Sequence, residues 1–331
     1  MSNEHVANID ELPLSEQRII RDIIAGKIIP PLYADTIAKR LFNPDVHADR
    51  LNFLMRSISK DQTIDVASSA GNESFKQSVN SKSMISDIPS WLRDGRLSDL
   101  EMQKIRQDFI FTRVELYASD MLLLQYAVRE GEAKGDLDYE NVKEAIIIVL
   151  MVESPKAFKE FDKKSDKYIH RFTRMTADTG LSYPTKAKMI YVQLDKCLEQ
   201  FRAGQNSEAE DGKPDELQLW LAMIADVNDG KVSEAVEKDD ELKKIRAEAL
   251  NMAQDKEVQN MLIKEKYDRM DILTYGNDQR REGAIKEAIM LYREEMGLLP
   301  TDIIKKIMTR FNMKQDVAEK YVEETLGLQL A

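Results

Sequence analysis

The chain has 331 residues, 43% hydrophobic and 32% charged, with 48 Lys+Arg against 59 Asp+Glu and a net charge of −11. This balance suits one large or two smaller globular domains and is too apolar for intrinsic disorder. It also opposes coating of nucleic acid by bulk charge, leaving a local basic groove or an acidic site that meets phosphates through a bound cation.

The single Cys197 allows neither an intrachain disulfide nor a cysteine-based zinc site. The longest apolar runs fall short of the ~18 residues a membrane helix needs. The polar stretch Met1–Asp10 lacks the basic start and apolar middle of a signal peptide. A cytoplasmic protein without membrane spans is therefore expected.

After an N-terminal segment (1–29), helical spacing runs over Tyr33–Phe42 and stops at Asn43-Pro44, which cannot continue a helix. Asp49–Ile58 is a second helix, with Leu51, Leu54, Met55 and Ile58 on one side. Thr63–Ala67 is a short strand, followed by a polar loop over Ala67–Ser83. Met84–Leu92 and Leu97–Gln103 are two strands joined at Asp94-Gly95, a hairpin signal. In the long helix Asp108–Glu130 the apolar residues spread too widely for one stripe, which implies burial on more than one side. Ala145–Val152 (AIIIVLMV) is a central strand covered on both faces, and Lys188–Leu194 is another strand.

The polar stretch Ala203–Asp215, with two Gly and one Pro, is a linker. Beyond it nearly everything is helical: Asp215–Asn228 with Trp220, a highly charged helix over Lys231–Met270, and two short helices, Thr301–Thr309 and Gln315–Leu326. The last pair carries little basic charge, so a helical cap or an oligomerisation unit fits better than a DNA-reading pair. The organisation is an α/β part over 30–202, a linker over 203–215 and a helical part over 216–331.

Chemistry concentrates in Met84–Gln103. Side chains at i and i+2 share a strand face, so Glu101 and Gln103 project together while Leu100 and Met102 face the other way. Asp87 joins them only if the turn has odd length. A two-residue Asp94-Gly95 loop pairs Asp87 with Met102, whereas a three-residue Arg93-Asp94-Gly95 loop with left-handed Gly95, or a bulge at Pro89, pairs it with Glu101. Two carboxylates converging on one face repel unless a cation neutralises them or one takes up a proton. Oxygen ligands of this kind suit Mg²⁺ or Mn²⁺, which with one or two carboxylates keep open positions for water and phosphate. His5, His47 and His170 show no ligand spacing, and Cys197 has no histidine nearby to activate it.

Several segments together resemble the PD-(D/E)XK nuclease family transposases, the group that includes Rpn-like recombination-promoting nucleases. They are DTIAKRLF (Asp35–Phe42), SDIPSWLRDGRLSDLEMQ (Ser86–Gln103), FTRVELY (Phe111–Tyr117), AIIIVL and KMIYVQLDK (Lys188–Lys196). The resemblance implies a restriction-endonuclease-like core, a central mixed sheet flanked by helices, with an all-helical C-terminal extension.

It further implies metal-dependent hydrolysis of DNA. Asp87 and Glu101, with the backbone carbonyl of Met102, would hold the cation. Gln103 falls where most PD-(D/E)XK nucleases carry lysine, and it would orient water. Asp35 matches an assisting acidic residue on the first helix. Arg113 matches an arginine that follows the E-x-Q strand; it either meets a phosphate or pairs with a carboxylate such as Asp120. Two expectations from different classes follow: a DNA endonuclease using Mg²⁺ or Mn²⁺, with a homo-oligomer formed through the helical region, or an inactive nuclease-like scaffold that binds DNA or protein.

Overall fold

The computed structural model describes residues 9–70, 87–104, 109–132, 142–209, 215–294 and 296–327. The chain divides into two compact units, 1–265 and 266–331. The first is built on a six-stranded sheet in the order β1-β2-β3-β4-β8-β5: β1 Val66–Ser69, β2 Ile88–Leu92, β3 Leu97–Gln103, β4 Ala145–Met151, β8 Ala187–Gln193 and β5 Ile169–Arg171. β3, β4 and β8 run parallel, while β1, β2 and β5 are antiparallel to their neighbours. A small hairpin, β6 Arg174–Met175 and β7 Ser182–Tyr183, projects separately.

Every residue of β4 is buried, as expected for a continuous β-branched run between two parallel neighbours. β3 is also fully buried, yet it carries Ser98, Asp99, Glu101 and Gln103. Burying that many polar groups in a central strand is expensive unless they are partnered, so β3 is where the sheet departs from core chemistry. The parallel pairing of β3 and β4 needs a crossover, supplied by α4 (Ile110–Glu132). Its Ile110, Val114, Tyr117, Ala118, Met121 and Leu124 pack over Leu97, Ile147, Val149 and Met151. Burial of α4 on more than one side is corrected: Leu116 and Leu123 are 53% and 50% exposed, so a single stripe covers the sheet.

Before the sheet come a 3-10 turn (Ile9–Glu11), α1 (Leu14–Ile24), α2 (Asp35–Leu41) and α3 (Ala48–Ser59). After β4 comes α5 (Lys156–Asp162), and α6 (Leu194–Arg202) follows β8. α7 (Glu216–Ala225) is almost wholly buried; it packs on α6, and its Trp220 ring lies 5.3 Å from Phe53 of α3.

The single long helix expected over Lys231–Met270 is corrected to three: α8 (Gly230–Val236), α9 (Asp240–Met252) and α10 (Lys256–Glu294). Asp239 ends the run by accepting the backbone N–H groups of Glu241 and Leu242 at 2.9 and 3.0 Å, the N-cap chemistry that starts a new helix. Arg50 of α3 reaches α9 with two bonds to Glu248, at 2.6 and 2.8 Å. The helices that follow Ala203–Asp215 thus belong to the sheet-bearing unit as far as Glu265.

The second unit contains the later part of α10, α11 (Pro300–Phe311) and α12 (Gln315–Leu326), closed around Ile285, Ile289, Ile303, Ile307 and Val322. Asn312, in the left-handed conformation at φ 48°, makes the α11–α12 turn in the place of a glycine. No helix among the described residues is long and apolar enough to cross a membrane. His5, most of the Ala67–Ser83 loop, Met84–Ser86 and residues 210–214 of the expected linker lie outside the described residues.

Candidate active site

The hairpin settles the parity on which the site depends. Leu92 and Arg96 flank a three-residue loop, with the Leu92 N–H donating to the Arg96 carbonyl at 2.9 Å and Gly95 at φ 82°. Ile88 pairs with Leu100 and Pro89 with Asp99, without interruption at Pro89. One step beyond, Asp87 meets β3 at Glu101 and Met102; its Oδ2 accepts the Met102 N–H at 2.7 Å. Asp87 is therefore brought to Glu101 by the odd-length turn and not by a bulge.

The two carboxyls differ in environment. Asp87 lines a pocket of about 200 Å³ with Lys39, Asn43, Pro44, Ser69, Ala70, Ile88 and Pro89. Burial holds its carboxyl above the ordinary range, helped by the negative charge of Asp35 and opposed by the Met102 N–H and by Lys39 and Lys104. Glu101 is only 2% exposed, and burial pushes its carboxyl well above the usual range, reinforced by the charges of Asp87 and Asp99 and opposed by Arg113. Both carboxyls are thus held above the ordinary range by burial first and by a neighbouring carboxylate second, Asp35 for Asp87 and Asp87 for Glu101.

Arg113, on the first turns of α4, ion-pairs with Glu101. It also donates to Gln103 Oε1 at 3.2 Å and to the Tyr117 hydroxyl at 3.0 Å. The carboxylate that Arg113 pairs with is Glu101 of β3, across elements, and not Asp120 on its own helix. Gln103, 3% exposed, is drawn into the same cluster.

Asp35 opens α2 and is held by Lys104, whose ammonium sits 2.6 Å from Asp35 and 2.8 Å from Glu265. Burial works against the Lys104 charge, but these two carboxylates overcome it and raise its pKa. Glu265 in turn accepts the backbone N–H groups of Asp35 and Thr36 at 3.2 and 3.0 Å.

Sequence reasoning missed Lys39, Lys104 and Glu265 and gave Tyr117 only a packing role. Lys104 directly follows the E-x-Q triplet and Lys39 lies one helical turn after Asp35, so both were within reach of a face argument. Glu265 is 230 residues from Asp35 and offered no local signal. Elsewhere, His170 Nε2 lies 2.7 Å from Gln193 Oε1, and burial lowers the His170 pKa. Burial pushes the thiol of Cys197 up, which suits an inert core residue.

Among the described residues, no group of three or more His, Cys, Asp or Glu side chains gathers to hold a metal. The donor set is instead two carboxylates. One faces a pocket, and in the other Glu101 Oε2 is buried without a hydrogen-bond partner among the described residues. A hard divalent cation that completes its shell with water and phosphate oxygen fits that set.

Residues 32–276 match the family model for PD-(D/E)XK nuclease family transposases, and the chain belongs to that family. The mixed sheet flanked by helices is the restriction-endonuclease-like core expected of it. No curated protein and no solved structure gave a match.

Proposed function

We propose that the protein is a cytoplasmic endodeoxyribonuclease that hydrolyses phosphodiester bonds with the help of Mg²⁺ or Mn²⁺, in transposition or recombination. Family membership supports a nuclease or transposase-related function. The observation that carries the finer reading is the hairpin register, which brings Asp87 against Glu101 beside an open pocket. Asp87, Glu101 and the Met102 carbonyl would hold the cation. When bound, such a cation polarises the phosphodiester and helps ionise the attacking water. Gln103, uncharged and unable to act as a base, would orient that water. Asp35, tied to Lys104, would place a further negative charge near Asp87 and keep its carboxyl in demand of a cation. DNA is the substrate in this reading, and the helical C-terminal region would serve self-association. The test is plasmid cleavage with Mg²⁺ by wild type, Asp87→Ala and Glu101→Ala; equal activity in all three ends the proposal.

One observation favours a second reading, an inactive nuclease-like scaffold that binds DNA or protein. Arg113 already neutralises Glu101 and holds Gln103, so the chain supplies its own counter-charge where the first reading needs a metal. Calorimetry with Mn²⁺ separates the two: binding that disappears in Glu101→Ala supports the nuclease, and its absence in wild type supports the scaffold.

A further inference from the structure

Among the described residues, two cationic side chains of the candidate site, and Arg40 next to Lys39 on α2, are held closely by carboxylates. Lys104 sits between Asp35 and Glu265 at 2.6 and 2.8 Å, and Arg113 pairs with Glu101. Arg40 reaches Asp255 at 3.4 Å and Glu257 at 3.8 Å. Lys39 differs. Its ammonium has one ion-pair partner among the described residues, Asp87, at the outer limit of 4.0 Å, and its side chain is 39% exposed.

Lys39 also lines the pocket into which Asp87 opens. Besides Asp87, two polar residues of the pocket, Asn43 and Ser69, can donate. The Asn43 side-chain oxygen is taken by the Asp45 N–H at 2.8 Å, which leaves the amide NH₂ as the group to offer, and the Ser69 hydroxyl completes the rim.

We infer that Lys39 is a phosphate-binding residue, meeting a non-bridging oxygen of the DNA strand in this pocket, with Asn43 and Ser69 as hydrogen-bond donors beside it. The assignment rests on the nuclease reading above. In that reading the third motif position is occupied by uncharged Gln103, so the strand itself brings no cation to the substrate. Lys39 supplies one from α2. At 4.0 Å the Lys39–Asp87 contact is longer than a hydrogen bond, so the ammonium keeps its donors for another anion whether or not a cation is bound. At a net charge of −11 the molecule as a whole repels DNA, which makes each local ammonium count.

The experiment is fluorescence anisotropy of a labelled DNA duplex in EDTA, with salt varied, for wild type, Lys39→Gln, Lys39→Arg and the remote control Lys238→Gln, whose side chain is 74% exposed. Removing one phosphate contact should lower the slope of log K against log salt by about 1 in Lys39→Gln. Lys39→Arg should restore that slope, and Lys238→Gln should leave it unchanged. An unaltered slope in Lys39→Gln overturns the assignment, as does an equal drop in Lys238→Gln, which would reveal a bulk charge effect. Plasmid cleavage by the same wild-type preparation separates the two levels of failure. Active wild type with an unaltered Lys39→Gln slope sinks Lys39 alone, whereas wild type that neither binds nor cleaves removes the nuclease reading beneath it.

Discussion

Arg113 and Glu101 form an ion pair between the start of α4 and the middle of β3, and Glu101 is the more deeply buried partner. A carboxylate stripped of water in this way must find a cation or take up a proton.

Replacing Arg113 with Ala therefore leaves Glu101 with the second choice. Its affinity for a proton rises further, and the penalty is felt where the unfolded chain would have released that proton. Arg113→Ala should lose about 2–3 kcal/mol at pH 8, below the ~3–5 kcal/mol for a fully buried pair because Arg113 is partly exposed, and distinctly less at pH 5. Urea denaturation at the two pH values checks this, and adding Glu101→Gln should recover part of the loss in a double-mutant cycle. A loss independent of pH would show that Arg113 acts through packing alone.

Asp87 and Glu101 both hold their protons more tightly when folded than when unfolded. In the window from the ordinary carboxylate range up to the raised folded-state values, the folded protein therefore binds more protons than the unfolded chain. Stability of the metal-free protein must fall as pH rises through that window and level off above it. Glu101→Gln, which cannot ionise, should show a shallower decline in melting temperature between pH 5 and pH 8. In the nuclease reading, Mn²⁺ should raise the melting temperature of wild type more at pH 8 than at pH 5, since the cation competes with the protons. Equal Mn²⁺ stabilisation at both values would contradict it.

Much of this arrangement was legible in the sequence, and what escaped did so for physical reasons. β3 was read with the ends the structure gives it, because Leu97 and Gly95 bound it sharply, and β4 announced itself by five consecutive large aliphatic residues from Ile146 to Leu150. β5, β6 and β7 span only two or three residues each, too short to show a period of two. The break between α8 and α9 was encoded in Asp239, but a run of charged residues hides a capping aspartate among solvated ones. Spacing put Glu101 and Gln103 on one face and left Asp87 to the length of the turn, and the family resemblance singled out Asp87 and Glu101 as a pair. Arg113 on Glu101 and Glu265 on α2 were not found, because contacts across elements leave no periodic trace.

Glu265 anchors the N-terminus of α2 from a distant part of the chain by accepting the amides of Asp35 and Thr36. Losing a carboxylate cap typically costs about 1 kcal/mol. In Glu265→Ala, hydrogen exchange at these two amides should accelerate roughly fivefold, the equivalent of that energy, while amides of β4 stay protected. Glu265→Gln keeps one acceptor oxygen and should fall between. Unchanged exchange at Asp35 and Thr36 would mean that the cap contributes nothing to holding α2.

The parity of the hairpin loop gives the last prediction. Gly95 adopts φ 82°, where a side chain is strained, so Gly95→Ala should destabilise the protein by about 1–2 kcal/mol without moving the register. Deleting Arg93 is a different perturbation. It leaves Asp94 and Gly95 as a two-residue loop, the length favoured by Asp-Gly turns, still flanked by Leu92 and Arg96. The pairing of β2 with β3, and with it the burial of Ile88 and Leu92, is therefore kept, and Asp87 stays against Glu101. In the nuclease reading, calorimetric Mn²⁺ binding and the protection of the Met102 amide should both survive the deletion. If the chain instead draws Leu92 into a three-residue loop, β2 slips against β3 by one place, and the period of two carries Asp87 to the opposite face from Glu101. Mn²⁺ binding and Met102 protection should then be lost together, and loss of binding with unchanged exchange at Met102 would contradict the link drawn between register and the carboxylate pair.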